Sequence, residues 1–398
     1  MKLSKWLQFR LDRRALTAAV RNKISTDNLL RANERSIVLD DGAISRIDVS
    51  QLGANRPVED FFSASKCLSS NAYFLGVFDG HAGAACSRHV STRLYDYLSA
   101  AILPKHKVVD IATLADRLQW TFSNADQKLP PVIMDSHEQN VRKFYEKFRS
   151  NTAFTTVRKA MQAAFVQLDE DLSSGAMPDS HGKVCRMSVN VAASGSCALV
   201  SHIRGNNLHV ANIGDSEAVL ELQRVVLEPL GVPAPRDLHT PPYLTAQPEV
   251  LYHRLTPNDK FLILATDGLW DFLDPDTVVR LINDHTFGTQ TLSDYEPSGN
   301  TLAEVWLKVL KDLERRKKGE TKKPLDENSA THVIRNALGG CSGGTELQYA
   351  RLQESLELPP GTARHFRDDI TVIVIHFNEH YLIEKHLAAE LGSSQTMS

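Results

Sequence analysis

Short runs of β-branched and aromatic residues recur along the chain and are typical of β-strands. Between them lie longer segments in which apolar residues return every three or four positions, as in an amphipathic helix. Strands and helices do not alternate strictly, which favours an α+β protein or a layered α/β sandwich. The predicted strands are Tyr73–Phe78, Cys197–Val200, Leu208–Ile213, Lys260–Ala265 and Ile370–Phe377, and the clearest predicted helices are 84–103, 153–173, 301–316 and 328–338.

Composition excludes several classes of protein. The 398 residues are 42% hydrophobic and 23% charged, as in an ordinary soluble globular protein. The net charge of −3 argues against a general nucleic-acid binder, and no apolar run approaches the length of a membrane span. The five cysteines show neither metal-ligand spacing nor a disulfide pattern, which suits a reducing compartment.

The first 25 residues are basic, and Asp12 is their only acid. Leu3, Trp6, Leu7 and Leu11 fall at helical spacing, so the segment has the amphipathic pattern of a mitochondrial transit peptide. A solvated N-terminal helix has the same composition, and the segment by itself leaves both interpretations open.

Carboxylates stand at the ends of several predicted strands. Asp79 and Asp267 each end an apolar run and precede a glycine, Asp215 follows a third strand, and Asp368 and Asp369 come just before a fourth. A single aspartate at a strand end is ordinary turn chemistry. Four such positions, together with Glu59 and Asp60 in RPVEDFF, could converge on one pole of a sheet structure.

Hard divalent cations prefer oxygen ligands of this kind. Two such ions can hold a water molecule, lower its pKa and position it for attack on phosphorus. Gly80 would let the backbone approach a metal closely, and His81 could protonate a leaving alkoxide.

Together, the motifs resemble the metal-dependent serine/threonine protein phosphatases (the PPM family, type 2C). They are EDFFSAS (59–65), VFDGHAG (77–83), ANIGDS (211–216), ATDGLWDFL (265–273) and RDDITVIVI (367–375). The resemblance implies a four-layer α-β-β-α sandwich of two antiparallel sheets flanked by helices. It divides the chain into a targeting segment (1–28), a phosphatase domain (29–380) and a C-terminal tail (381–398).

The resemblance also implies roles for individual residues at a site holding two Mg²⁺ or Mn²⁺ ions. Asp79 would bridge both ions, the Gly80 carbonyl would bind one, and Asp267 and Asp368 would hold the other. His81 would be the general acid, with water as the nucleophile and no covalent phosphoenzyme. Glu59 and Asp60 would act through water or from behind the ligands, and Asp215 and Asp271 match positions that bind a weaker third metal in relatives.

Longer segments are similar to a mitochondrial subgroup of this family that acts on the pyruvate dehydrogenase complex. The implied substrate is the phosphorylated α subunit of pyruvate dehydrogenase, and the implied location is the mitochondrial matrix. The lipoyl domain of the acetyltransferase core and a regulatory subunit are further expected partners, and no nucleic acid or membrane span is expected. The segments are LRANERS (30–36), HTPPYLTAQPEVLYHRLTPNDKFLILATDGLWDFL (239–273), NSATHVIRNALGG (328–340) and ARHFRDDITVIVIHFN (363–378).

The sequence departs from the family pattern in three places. Asn55 stands where many relatives have a phosphate-gripping arginine, with Arg56 one residue away, and Glu217 stands where an arginine often follows GDS. The residue that binds phosphate is therefore unknown. After Leu220 the chain runs directly into a segment that relatives place several dozen residues later, as though an internal block had been removed.

Three functions remain open at this stage. The intact ligand set favours an enzyme. The missing block, which should contribute core strands, favours a truncated variant that binds the complex or a regulatory subunit and catalyses little. Another metallohydrolase with aspartate ligands is a weaker third alternative.

Overall fold

Two antiparallel sheets of six strands each form the centre of the protein in the computed structural model. The first sheet has the order β1 (Arg35–Val38), β2 (Ile44–Leu52), β14 (Ile370–Phe377), β13 (Asp259–Ala265), β10 (Glu217–Leu222), β11 (Val225–Val226). The second has the order β12 (Glu249–Arg254), β9 (Asn207–Ile213), β8 (Ala198–Arg204), β4 (Ala72–Phe78), β3 (Phe61–Cys67), β6 (Leu118–Ser123). A separate short pair joins β5 (Gly80–His81) to β7 (Gly195–Ser196). The structure describes residues 25–39, 42–102, 117–125, 129–150, 156–222, 225–226, 245–286, 304, 306–308, 326–342, 344–359 and 361–395.

Helices pack on the outer face of each sheet. Against the second sheet lie α2 (Ala85–Ile102) and α4 (Val157–Gly175), while α3 (Pro131–Ser150) packs on α2, and α5 (Arg186–Ala192) packs on α2 and α4. Against the first lie α1 (25–31), α6 (Asp267–Trp270), α7 (Pro275–Thr286), α8 (Ser329–Gly339) and α9 (Gly344–Leu356), and α10 (Glu379–Gln395) follows β14. None of the helices in the described ranges is both long and apolar enough to cross a bilayer.

Three apolar clusters separate the four layers. The middle cluster lies between the sheets, and the two outer clusters lie between each sheet and its helices. On β14, Ile373 and Ile375 point into the middle cluster, whereas Val372 and Val374 point toward the helices. Side chains alternate across a strand, so a strand buried on both faces must be apolar throughout. The expected α-β-β-α sandwich is confirmed.

All five predicted strands are present, with β14 at the predicted bounds and the others within a few residues of them. The predicted helices 84–103, 153–173 and 328–338 correspond to α2, α4 and α8. The predicted helix 301–316 lies largely outside the described residues. The structure describes 304 and 306–308 of this range, and these residues are helical. Residues 1–24, most of the expected targeting segment, lie outside the described residues as well, and α10 crosses the expected boundary at residue 380 with Leu382 buried.

The junction after Leu220 lies inside β10. Leu220 pairs with Leu262 and Glu221 pairs with Phe261, and the register shifts immediately afterwards, between Glu221 and Leu222. The following β11 pairs with β10 at two positions. The strand thus continues across the junction, with an irregularity one residue beyond it, and the loss of an internal block stays a prediction.

Candidate metal centre

Strand register brings the acidic motifs to one end of the sandwich. In the second sheet Phe61 pairs with Phe78, so Asp60 and Asp79, one residue beyond each, lie at the same edge. In the first sheet Ala265 pairs with Val372, which places Asp267 beside the start of β14. Antiparallel pairing alternates strand ends and starts along an edge. We call the edge where the two sheets present Asp60, Asp79 and Asp267 the acidic pole.

Asp79, Asp215 and Asp267 meet at the centre of the acidic pole. Each offers a carboxylate oxygen, and these oxygens lie within 4.8 Å of one another. Burial and the charges of Asp60 and Asp267 raise the pKa of Asp79, and burial also raises the pKa of Asp267. The buried Oδ1 of Asp267 has no hydrogen-bond partner within the described part of the chain. This crowding of carboxylates is unfavourable until a cation neutralises it.

Asp60 lies behind this centre and is buried. Its Oδ2 accepts hydrogen bonds from the hydroxyls of Thr371 (2.6 Å) and Thr266 (2.9 Å). Burial raises the pKa of Asp60, and the nearby charge of Asp369 adds to the effect. Neither threonine was singled out from the sequence, because their convergence depends on β13 and β14 being neighbours.

The adjacent aspartates Asp368 and Asp369 have different environments. Asp369 is buried and accepts from the backbone N–H groups of Ala54 (2.5 Å), Asn55 (2.8 Å) and Glu59 (2.8 Å), and from Asn55 Nδ2 (3.1 Å). Asp368 is partly exposed and is ion-paired with Arg364. Asp369 therefore organises the loop that precedes β3, whereas Asp368 faces the acidic pole, where its charge contributes to the raised pKa of Asp267.

Gly80 has no room for a side chain. A Cβ atom at this position would lie 2.3 Å from the Glu59 carbonyl oxygen and 2.4 Å from Ser87 Oγ. The glycine lets the β5 backbone pass directly against the loop that carries Glu59. Its expected close approach to a metal stays a prediction. The next residue, His81, is exposed, and its imidazole covers the backbone of Gly195 on β7.

The remaining predicted residues lie around the centre. Asp215 is exposed, and its Oδ1 accepts from the thiol of Cys197 (3.2 Å), a contact that the sequence did not indicate. The exposed Asp271 ends the short helix α6 that Asp267 begins, and its charge acts on Asp267. Glu59 is partly buried, and its backbone is held by Asp369 and by Ser87 Oγ (2.6 Å). Among the described residues, the structure therefore brings Asp79, Asp215 and Asp267 together, whereas Glu59, Asp60, Asp271 and Asp368 lie around this group and not within it.

The donor set fits a hard divalent cation. The three side chains that converge there, Asp79, Asp215 and Asp267, all offer carboxylate oxygens, which suit Mg²⁺ and Mn²⁺. The unpartnered Oδ1 of Asp267 and the raised pKa values of three aspartates are the features that a bound cation would relieve. Fold and site together define a class: a four-layer sandwich with an acidic pole suited to divalent cations.

Comparisons with known proteins identify the family within this class. The family model described as Protein phosphatase 2C matches residues 121–230 and 233–303. Human pyruvate dehydrogenase (acetyl-transferring) phosphatase 1, mitochondrial, is 33% identical over 453 residues, covering 89% of this chain and 82% of that protein. Human phosphatase 2 of the same description is 30% identical over 421 residues, covering 84% and 78%. The chain therefore belongs to the protein phosphatase 2C family and is a phosphoprotein phosphatase.

Two further findings come from the comparisons. The serine-threonine phosphatase 2C of Toxoplasma gondii, a solved structure, matches with a TM-score of 0.42 and 15% identity over 86% of this chain and 99% of that one. The alignment with human phosphatase 1 spans 453 positions, more than the 398 residues of this chain. That relative therefore has residues at aligned positions where this chain has none.

Proposed function

We propose that this chain is a Mg²⁺- or Mn²⁺-dependent protein serine/threonine phosphatase that dephosphorylates, and thereby reactivates, the pyruvate dehydrogenase complex. The observation that carries the proposal is the convergence of Asp79, Asp215 and Asp267 at one pole, with their oxygens within 4.8 Å of one another. The names of the mitochondrial relatives support pyruvate dehydrogenase as the substrate and the mitochondrion as the location. The α subunit as the phosphorylated chain and the matrix as the compartment are the finer parts of the proposal.

In this proposal the acidic pole holds two ions. Asp79, the carbonyl of Gly80, Asp267 and Asp368 are the ligands. When bound, the ions supply positive charge for the phosphoryl oxygens and an activated water for attack on phosphorus. Glu59 and Asp60 act from behind the ligands, where Thr266 and Thr371 fix the Asp60 carboxylate. Asp215 and Asp271 hold a weaker third ion.

His81 acts as the general acid. It is exposed, follows Asp79 by two residues, and is positioned by β5 against Gly195. As a bond forms between phosphorus and the water oxygen, the bond to the serine oxygen breaks, and His81 gives its proton to that oxygen. The products are the serine hydroxyl of the substrate chain and inorganic phosphate, and the proton that the attacking water releases restores the protonated form of His81.

The partners and the domain boundaries belong to the same proposal. The lipoyl domain of the acetyltransferase core and a regulatory subunit would bring the phosphatase to its substrate. Residues 1–28 would direct import, 29–380 would form the phosphatase domain and 381–398 the tail.

The test is hydrolysis of a phosphoserine peptide taken from the α subunit. We expect steady phosphate release with Mn²⁺, none after EDTA, and recovery when Mn²⁺ is returned. A peptide of the same composition in scrambled order is the substrate control, and His81→Asn should lower kcat without weakening Mn²⁺ binding. Phosphate release that continues in EDTA would contradict the proposal.

A second candidate is a binding protein that catalyses little. The alignment that is longer than the chain favours it, because residues of the relatives are missing here. A chain that binds the complex but releases no phosphate at any Mn²⁺ concentration would establish this alternative.

A further inference from the structure

A phosphoryl group arriving at the acidic pole meets many negative charges. Asp60, Asp79, Asp267 and Asp368 all belong to the pole, and the charges of Asp215 and Asp271 act on Asp267 as well. Bound cations offset part of this charge, but a phosphate ester also needs donors that fix its orientation. Arginine is the side chain best suited to this role, because its planar fork matches two phosphate oxygens.

Arg367 is near the pole but is already engaged. Its Nη2 donates to the carbonyl of Gly53 (2.8 Å), and its Nη1 donates to the carbonyls of Asp368 (3.1 Å) and Leu52 (3.3 Å). These bonds tie the end of β2 to the segment before β14. Arg367 is therefore a structural residue that cannot turn toward a substrate without releasing this connection.

Arg364 is placed differently. It lies in the single 3₁₀ turn Ala363–His365, and its Nη1 contacts Asp368 Oδ2, four residues later. Its side chain is 48% exposed, and the charges of Asp368, Asp369 and Glu59 act on it. An exposed ion pair of this kind contributes little to stability. The guanidinium of Arg364 is thus held at the rim of the pole, where it is open to an incoming ligand.

We propose that Arg364 binds the phosphoryl group of the substrate and, without substrate and metal, serves as the counter-ion of Asp368. This inference rests on the proposed function, in which Asp368 is a metal ligand. A divalent cation bound to Asp368 competes with the guanidinium for the same carboxylate. The guanidinium is then freed at the rim, beside the place where phosphate oxygens meet the cations.

Two neighbouring residues are rival candidates for this role. Asn55 has its side-chain amide directed at Asp369 Oδ2 (3.1 Å) and Asp368 Oδ1 (3.4 Å), so its donors are used. Arg56 is exposed and stands next to Asn55 in sequence, and its charge is not among those that shift the pKa values of Asp79 or Asp267. Arg56 is therefore the matched arginine control.

The experiment compares the parent chain with Arg364→Ala, Arg364→Lys and Arg56→Ala. Calorimetry measures Mn²⁺ binding to each metal-free chain and then inorganic phosphate binding to each Mn²⁺-loaded chain, and kinetics with the phosphoserine peptide give KM and kcat. For Arg364→Ala we expect phosphate Kd and peptide KM to rise about ten-fold to a hundred-fold, the loss of a charged hydrogen-bond pair. Its Mn²⁺ affinity should be equal to the parent's or higher, because a competitor for Asp368 is gone.

The controls separate this inference from the proposed function. Arg364→Lys should lie between the parent and Arg364→Ala, because lysine keeps the charge without the fork, and Arg56→Ala should match the parent. Phosphate binding does not require turnover, so it decides the role of Arg364 even if the parent hydrolyses nothing. The inference would be overturned if the parent and Arg364→Ala had equal phosphate Kd values, or if the Mn²⁺-loaded parent bound no phosphate. A loss of Mn²⁺ binding in Arg364→Ala would overturn it as well.

Discussion

Asp368→Asn and Asp369→Asn change adjacent residues but should affect different properties of the protein. Asp369 is 1% exposed and its carboxylate accepts from three backbone N–H groups and one side-chain amide. Asp368 is partly exposed, accepts from the Asp369 N–H (2.7 Å), and is ion-paired with Arg364. We expect Asp369→Asn to lower the free energy of unfolding strongly. Asp368→Asn should keep the stability of the parent but lose metal binding.

The magnitude follows from the hydrogen bonds. An asparagine at 369 keeps only one acceptor oxygen. Two of the four N–H donors therefore lose their hydrogen-bond acceptor and face an NH₂ group instead. Hydrogen bonds to a charged group contribute about 1.5–3 kcal/mol each, so the loss is about 3–6 kcal/mol. A typical domain has only about 5–15 kcal/mol of stability in total. Asp368→Asn loses an exposed ion pair, worth at most about 1 kcal/mol.

Urea denaturation in EDTA measures the free energy of unfolding without any contribution from metal, and calorimetry on the folded variants measures Mn²⁺ affinity. The reasoning predicts a large loss of unfolding free energy for Asp369→Asn and a loss of Mn²⁺ affinity at nearly unchanged stability for Asp368→Asn. Equal unfolding free energies for the two variants, or parent-like Mn²⁺ binding by Asp368→Asn, would refute it.

Three other predictions concern the scaffold. Gly80→Ala should lower the free energy of unfolding by about 1–3 kcal/mol, because its Cβ would lie 2.3 Å from the Glu59 carbonyl oxygen. Gly175→Ala is the control and should be tolerated, because the atom nearest to its Cβ would lie 3.8 Å away. Thermal unfolding compares the two variants. Burial lowers the pKa of His202 to about 3 from 6.5, so the unfolded chain binds more protons between these values. Stability is then complete above about pH 6.5 and about 2 kcal/mol lower at pH 5; His202→Phe should remove this part of the acid sensitivity, and the exposed His181→Gln should not. Inserting the block of the relatives that we predict to be absent here, between Leu220 and Glu221, should raise the melting temperature and the Mn²⁺-dependent turnover. Equal values with and without the block would mean that it is dispensable.

The sequence predicts strands best where both faces are buried. β4, β13 and β14 are continuous apolar runs because helices cover one face and the facing sheet covers the other. β2 and β3 were not predicted, since they carry buried polar residues, including Asp48 on β2 and Ser63 on β3. These residues are satisfied by partners distant in sequence: Ser329 donates to Asp48, and Ser63 donates to the Ser91 carbonyl. Such partners are visible only in the folded chain.

The candidate site shows the same division. Asp79, Asp267 and Asp368 could be selected because each adjoins a predicted strand, and antiparallel strands bring their ends together. The different environments of Asp368 and Asp369 could not be predicted from the sequence, because the backbone geometry before β14 decides which carboxylate turns inward. Thr266 and Thr371 escaped notice for a related reason: their hydroxyls meet Asp60 only after β13 and β14 pair with each other.

Calorimetric titration of the metal-free chain with Mn²⁺, run in parallel on the parent and Asp79→Asn, tests the central claim most directly. Asp79 lies where the oxygens of Asp215 and Asp267 converge, so the account predicts two tight ions for the parent and a large loss of affinity for the variant. The variant should remain folded, because replacing one of several crowded carboxylates by a neutral amide relieves repulsion. Mn²⁺ binding by folded Asp79→Asn that equals the parent's in affinity and stoichiometry would contradict the assignment of the acidic pole as the metal centre.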